Sequence, residues 1–557
     1  MNRPRIDPAL AASLLASAPA RLRRRLDETP RLAEGWSWNG GAVTIDADTR
    51  VTLLGDDLKS EEQLRCTCLL APRCLHVLAC LALLEPMEAA IVTPSPAAAA
   101  AAGKVEAGLR AGAESGLEAI GVLLAGGARA AGAVVQSGLL RALHDARTAG
   151  CHRLGAALTR LIGGVRGLRS GDPASDADEV LADAAEVCAA ALALLATSAI
   201  PADAGVSRRA YETAGNLRLY GLCAEPVLTR GGWAGVVTWL ADPQGRLWSL
   251  GDVQPGDAAR VLQAWRGGVR LGDLSLAHAE LARGGALVQD ATASPEGRLG
   301  SGAAVQAVRA TGARWDEPPL VGLFGRPLAN QLTAAFAVGS SGLMTVRGRL
   351  DGTILHLADG PDLLLAPSSW DRALPAGANV RALAACAGAE VRAVVRPRPE
   401  AVGQAVVLAL SPAGDGLHLP AVLGDRIMIG LEHLPHAGLS AETPSWSAGT
   451  AATPMPWELL LRRALAVLLG GRSALPSAVA SQIAAESNQL RARLCAASAD
   501  RLGALFQACQ AEPAECFGRL RHRPPVQLAR AWAGAVLHAA AARRHTVFDA
   551  WRRWACI

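Results

Sequence analysis

The sequence predicts an α+β multidomain protein: an N-terminal module of a hairpin plus a helix, a helical segment, a β-rich barrel- or sandwich-like middle, and a helical C-terminal domain. Three observations carry this expectation. Four of the 12 cysteines fall between Cys66 and Cys80, directly after an alternating hairpin pattern. Between Asn216 and Ser411, short apolar runs alternate with turn signals. On either side of that stretch, Ala- and Leu-rich segments carry charges every three or four residues, the spacing of a helix. The expected boundaries are residues 1–88 for the module, 89–103 for a linker, 104–205 for the helical domain, 206–415 for the β-rich part and 416–557 for the C-terminal helices. A length of 557 residues fits roughly three to four domains of about 150 residues each.

Each element has its own local reason. Pro8 to Leu26 has a helical pattern, and Ala42 to Leu54 (AVTIDADTRVTLL) alternates as two short strands about an Asp-Ala-Asp turn. Residues 89–103 (AAIVTPSPAAAAAAG) are Pro/Ala low-complexity sequence, the composition of a linker. From Lys104 to about Ile200 the pattern is helical; Asp172-Pro173 breaks it, and Asp176 is placed to cap the helix holding Val180 to Leu195. In the β-rich part, Asp242-Pro243-Gln244-Gly245 between two Trp-containing runs reads as a hairpin turn, with helical patches near Val261 and Leu274. After Pro456 the helical period returns and holds to the C-terminus.

Composition excludes some chemistry. Arginine outnumbers lysine 53 to 2, the two lysines being Lys59 and Lys104. A phosphate-binding P-loop needs Gly-x-x-x-x-Gly-Lys-Ser/Thr, and Ala98 to Val105 reads AAAAAGKV, so a Walker-type motor is excluded. The positive mean hydropathy comes mostly from alanine. The most apolar stretch, Cys188 to Ile200, falls short of the ~20 residues that cross a bilayer. Arg3 and Arg5 ahead of PALAASLLASA imitate a signal peptide, but Asp7 and Pro8 interrupt it and Arg21, Arg23, Arg24 and Arg25 follow. The expected location is cytoplasmic, with no membrane contact.

The motif with the clearest chemistry is RCTCLLAPRCLHVLACLALL from Arg65. Cys66-x-Cys68 is followed after five residues by Cys74-x-His76 and an apolar run of helical character. Structural Zn²⁺ takes four tetrahedral N/S ligands, and thiolates with an imidazole are a usual set. Two cysteines two apart on an extended segment point their sulfurs to one side, while Cys74 and His76 come from the loop and first turn of the next helix. Pro72 stiffens the connection. The expected cofactor is one structural Zn²⁺ on Cys66, Cys68, Cys74 and His76, with Cys80 a fifth candidate one turn on. Four buried, unmetallated side chains are the alternative. A catalytic zinc would keep an open position and a nearby Glu base, and neither is present; a redox pair would use Cys-x-x-Cys, which is absent.

This pattern resembles the SWIM-type zinc finger, whose signature is Cys-x-Cys, a variable gap and Cys-x-His, with a hairpin before it and a helix after it. The gap of five is at the short end for that family. Around the motif, PARLRRRLDETP and CTCLLAPRCLH make the chain similar to bacterial SWIM zinc finger family proteins of high-GC organisms, and WAGVVTWLADPQGRLWSLGDVQPG extends the likeness. The resemblance implies zinc binding and an adaptor role toward nucleic acid or protein. Some such genes accompany a MoxR-type ATPase and a von Willebrand A-type protein, which would make this chain a partner subunit.

Eight arginines lie between Arg519 and Arg553 against one acid, Asp549, and Trp532, Trp551 and Trp554 interleave with them. Arginine suits phosphate by its two-pronged geometry and the indoles suit base stacking; a solvated or protein-docking face is the alternative. His433-Leu434-Pro435-His436 beside Glu432 suggests a metal pair, but the proline keeps both histidines off one helical face, so an exposed loop is expected. The remaining cysteines (151, 188, 223, 386, 495, 509, 516, 556) sit among Ala and Leu and read as small core residues. Gly339-Ser340-Ser341-Gly342 is one residue short of a nucleophile elbow, and no HExxH occurs. The acid pairs Asp56-Asp57 and Glu61-Glu62 are expected to cap or solvate the entry to the finger. The chain is therefore expected to be a non-enzymatic zinc adaptor for a protein partner. Nucleic-acid binding is one alternative, and an enzyme with its site in the β-rich part is another; no small-molecule substrate is indicated.

Overall fold

The computed structural model describes residues 3–86, 106–434 and 455–556, apart from scattered positions within 8–31 and the positions 72, 82, 174, 206–210, 230, 273, 303, 338–340, 400, 494, 512–514, 517–518 and 521–524. Most of the helical pattern over Pro8–Leu26, the linker 89–103, Lys104, Ser340 and His436 lie outside the described residues. The chain is mixed α/β, with antiparallel sheets and a helical C-terminal region. It divides into two compact units. One comprises Met1–Val92, Ala210–Trp446 and Val547–Ile557; the other comprises Thr93–Arg209 and Ser447–Thr546.

In the first unit, the N-terminal sheet has four antiparallel strands in the order Ser37–Asn39, Ala42–Thr44, Arg50–Leu53 and Leu64–Cys66. The expected hairpin is its centre, with Val43 opposite Val51 and both fully buried. Asp46 makes the turn by accepting from the amides of Asp48 and Thr49 at 2.9 and 2.7 Å. Those bonds hold its carboxyl below the usual range. The helix Leu75–Leu81 closes over this sheet with Val77, Leu78, Ala79, Cys80 and Leu81 buried.

A five-stranded antiparallel sheet follows, ordered Leu247–Pro255, Trp233–Ala241, Glu212–Leu228, Gly285–Ala293 and Gln306–Ala310. The turn at Asp242 forms as expected. Its carboxylate accepts from the amides of Gln244 and Arg246 and from the Trp248 indole, while Gly245 takes the left-handed conformation at φ 75°. Of the two expected helical patches, Val261 lies in the helix Ala258–Arg266. Leu274 is buried in an irregular segment instead, and the nearby helix is the short His278–Leu281. Leu287 and Ala310 of this sheet join the core of the N-terminal module.

The second β structure closes on itself. Met344–Asp351 pairs with Ile354–Leu357 and with Glu390–Pro397, Ile354–Leu357 with Asp362–Ala366, and Glu390–Pro397 with Gln404–Pro412, all antiparallel. Asp362–Ala366 and Gln404–Pro412 then pair in parallel, with Leu364 opposite Gln404. Taking the strands in chain order, the sequence around the barrel is 1-2-3-5-4-1, and the helix Ala376–Ala382 joins the third to the fourth. This is the connectivity of the OB barrel. Alternate residues such as Leu350, Leu355, Leu363, Val391, Val395 and Val407 fill its interior. Strand pairing runs past residue 415, because Ile427–Met428 adds to Gln404–Pro412. The buried Glu225 of the first sheet accepts two bonds from Arg396 of the barrel, at 2.5 and 2.7 Å, and one from the Trp239 indole at 2.7 Å.

On the outer face of the barrel, His356 lies between two carboxylates: Nδ1 is 2.6 Å from Asp362 and Nε2 is 3.7 Å from Asp351. The Asp362 hydrogen bond and charge, with Asp351 behind them, raise the imidazole above its ordinary value. The interaction therefore adds stability that is fully present below about pH 6.5. That stability is lost as pH rises through the higher folded value. In an NMR titration, His356 should titrate above an unfolded-peptide histidine, and Asp362→Asn should return it toward the peptide value.

The second unit is mostly helical; among its described residues the only strands are the short antiparallel pair Glu515–Cys516 and Arg519–Leu520. Ala107–Gly126, Ala133–Thr148, His152–Ser170 and Ala177–Leu195 share one apolar core with Pro456–Gly470, Ala480–Ala492, Ala496–Gln510 and the first part of Val526–Ala555. Asp176 caps its helix by accepting from the Asp178 amide. The alanine-rich composition serves close helix approach. Gly127 and Gly471, both at positive φ, mark a close approach of two helix ends: a Cβ on Gly127 would meet the Gly471 amide at 2.5 Å, and one on Gly471 would meet the Ala125 carbonyl at 2.7 Å. Among the described residues, no helix is long and apolar enough to cross a membrane.

Candidate metal centre

The strand Leu64–Cys66 brings Cys66 to the end of the sheet, opposite Val51. Thr67 then anchors the chain: its amide donates to the Arg50 carbonyl at 3.0 Å and its hydroxyl to the Asp48 carbonyl at 2.8 Å. This anchor lets Cys68 turn back beside Cys66, and its carbonyl accepts from the Ala71 amide at 3.3 Å. Cys74 precedes the helix Leu75–Leu81; its sulfur receives the Val77 amide at 3.5 Å and its carbonyl the Leu78 amide. A helix N-terminus of this kind favours a thiolate through its free amides and dipole. His76 lies in the first turn, its ring 6.0 Å from that of Trp36.

The structure brings Cys66, Cys68, Cys74 and His76 together, their ligand atoms all within 4.8 Å of one another. Cys66 Sγ is 3.8 Å from His76 Nδ1. Zn–S bonds of about 2.3 Å and Zn–N bonds of about 2.0 Å at tetrahedral angles put sulfur and nitrogen roughly 3.5 Å apart, so the spacing fits one such ion with modest contraction. The donors of this cluster therefore suit a metal ion. Burial pushes the Cys74 thiol up to about 12 and raises Cys66. Burial acts upward on Cys68 too, but hydrogen bonds from the Leu70 amide and the neighbouring thiols outweigh it and hold Cys68 below the usual thiol range. Bringing three sulfurs this close as thiolates requires a cation among them, which ties metal binding to proton release.

Cys80 stands outside this group. It is fully buried in the apolar core, and burial pushes its thiol up to about 12. The segment leading into the finger is fastened by Gln63, which accepts from the amides of Lys59 and Ser60 and donates to the carbonyls of Leu54 and Asp57, and the loop between the ligand pairs is tied to it by Arg73, which pairs with Glu61 at 3.2 Å. Glu61 thus serves the finger's entry, as its acid pair suggested. At the loop tip, Leu69 is fully exposed and Leu70 is 57% exposed. Their spacing between two ligand pairs was visible in the sequence, but their exposure was not.

The other candidates separate. His433 is exposed, while Glu432 accepts from Arg283 at 2.6 Å and from the Met428 amide at 2.8 Å. Cys151, Cys188, Cys223 and Cys509 are buried, as small core residues should be; Cys386 and Cys495 are half-buried and Cys556 is exposed at the chain end. The stacking expected of the C-terminal indoles is corrected for two of them. Trp532 is fully buried and donates to the Ala464 carbonyl, and Trp551 is fully buried and donates to the Arg398 carbonyl, with Trp554 against its edge. Trp532 belongs to the core of the helical unit and Trp551 to that of the barrel. No family model, no curated protein and no solved structure matches the chain.

Proposed function

We propose that this chain is a zinc-binding, non-enzymatic adaptor of the SWIM type that engages a protein partner in the cytoplasm. The observation that carries this reading is the Cys66, Cys68, Cys74 and His76 cluster with the exposed Leu69 and Leu70 at its tip. Four protein donors leave no open coordination position for catalysis, so the ion's role is to rigidify a loop that presents apolar side chains. Exposed leucines on a rigid loop suit a protein surface, where apolar burial dominates. The resemblance to SWIM proteins suggests an ATPase of the MoxR type, or the von Willebrand A-type protein beside it, as the first partner to test.

Nucleic-acid binding is the second reading, supported by the OB-type strand order. Capture from the native host distinguishes the two. A protein partner should survive nuclease and high salt and should be lost in the Leu69→Glu/Leu70→Glu variant. A bound species released by nuclease, with steep salt dependence, would replace the adaptor reading with the nucleic-acid one.

A further inference from the structure

We propose that the cavity at the edge of the five-stranded sheet binds a small compound bearing an oxyanion, phosphoryl or carboxylate. The cavity holds about 740 Å³ and lies within the first unit. That volume is in the range of small-molecule sites, about 300–1,000 Å³. Its walls come from four separated stretches: Thr29 and Leu32; Glu280, Arg283 and Gly284; residues 309–314; and Asp425 with Arg426. Four arginines line it against two carboxylates, Glu280 and Asp425.

The arginines divide by what already occupies them. Arg283 is committed to the Leu423 and Arg426 carbonyls and to Glu432, and Arg426 to Asp425 and three carbonyls. Arg309 makes one long contact, 3.5 Å, to Glu280. Arg314 holds Asp316 in a two-pronged pair but is half exposed, with its side chain open to the cavity mouth. Behind Thr311 lies Arg218, 6% exposed. It donates to the Thr311 carbonyl at 2.5 Å, the Thr311 hydroxyl at 3.0 Å and the Leu219 carbonyl at 3.3 Å, and it covers the Tyr220 ring at 4.3 Å.

Among the described residues no carboxylate pairs with Arg218. A buried guanidinium bonded only to neutral acceptors retains its charge in a poorly screened place. An anion in the cavity beyond Thr311 would complement it, and Arg309 and Arg314 can reach such an anion with planar donor pairs. The wall between them is rigid: a Cβ on Gly312 would fall on the Arg283 carbonyl, so the two strand ends meet backbone to backbone. This site is separate from the metal cluster and does not depend on the adaptor reading.

The test is calorimetric titration of the full chain with inorganic pyrophosphate and, separately, with citrate, at fixed ionic strength and with sodium sulfate as the reference. One probe or both should saturate one site per chain at sub-millimolar concentration and raise the melting temperature with rising probe concentration. Pyrophosphate alone would assign a phosphoryl compound, citrate alone a polycarboxylate. The Arg309→Gln/Arg314→Gln variant should bind at least tenfold more weakly, and Arg349→Gln, on the barrel's exposed face, should bind as the parent does. Arg314→Gln alone serves if the double variant melts early. Binding no tighter than sulfate for both probes, or unchanged binding in the arginine variants, overturns the proposal.

Discussion

Cys74→Ser should release the metal and unfold the N-terminal module around it. Cys74 is 1% exposed, the most buried of the four candidate ligands, and its sulfur accepts from the Val77 amide. The sheet beneath has strands of three or four residues and a seven-residue helix. Elements this short cannot hold their order by propensity alone. In zinc-finger peptides the bound ion supplies about 10–16 kcal/mol of apparent folding free energy at neutral pH, as much as the whole net stability of a typical domain with a much larger core, about 5–15 kcal/mol. Metal analysis should find about one zinc per chain in the parent and none in Cys74→Ser or His76→Ala. Hydrogen exchange should show lost protection at Val43, Val51 and Leu78. Cys80→Ala should keep the metal and cost about 1 kcal/mol, as an ordinary core truncation. Full protection of a metal-free parent would refute the assignment.

Arg426→Met should lower stability by about 3–5 kcal/mol. Arg426 is 1% exposed, and burial pulls its guanidinium below the usual arginine range despite Asp425 beside it. It satisfies the Gly221, Leu222 and Ala313 carbonyls, which belong to the first sheet and the loop leaving it. Its guanidinium also stands 5.4 Å from the centre of the buried Trp315 ring. Methionine matches much of its volume but removes every donor, taking its bonds from the buried Gly221 and Ala313 carbonyls and its partner from Asp425, while the Leu222 carbonyl keeps the Trp315 indole. Urea unfolding followed by tryptophan fluorescence measures the loss. Adding Asp425→Asn should recover part of it, because the orphaned charge is then gone. A loss under 1 kcal/mol would mean that water enters and satisfies the carbonyls.

Much of the candidate metal centre was legible because its information is local. Cys66, Cys68, Cys74 and His76 fall within 11 residues, and their convergence depends on a strand end, one turn and the start of a helix. The hairpins at Asp46 and Asp242 were legible for the same reason, each signalled by an Asp whose carboxylate bonds the amides of its own turn. The roles of the tryptophans were not. Trp532 and Trp551 lie among arginines in sequence, and only packing shows that both rings face inward. The oxyanion cavity gave no sequence signal at all, since Arg218, Arg309 and Arg314 belong to separate segments of an arginine-rich chain.

Local patterns in the chain specify the mixed class, the order of helical and β-rich stretches, the four candidate ligands and the lack of a P-loop motif. Which distant stretches share a core emerges from packing alone. It joined the helices of residues 107–195 to those of residues 456–539, and it closed the barrel by pairing Asp362–Ala366 with Gln404–Pro412 in parallel. It also placed Val547–Ile557 with the β unit while the rest of the same helix went to the other. The physical reason is range. Turns, caps and periodic faces are set by residues a few positions apart, whereas long-range pairing costs loop-closure entropy that grows only slowly with separation. Complementary surfaces select those partners, and no local pattern records the choice.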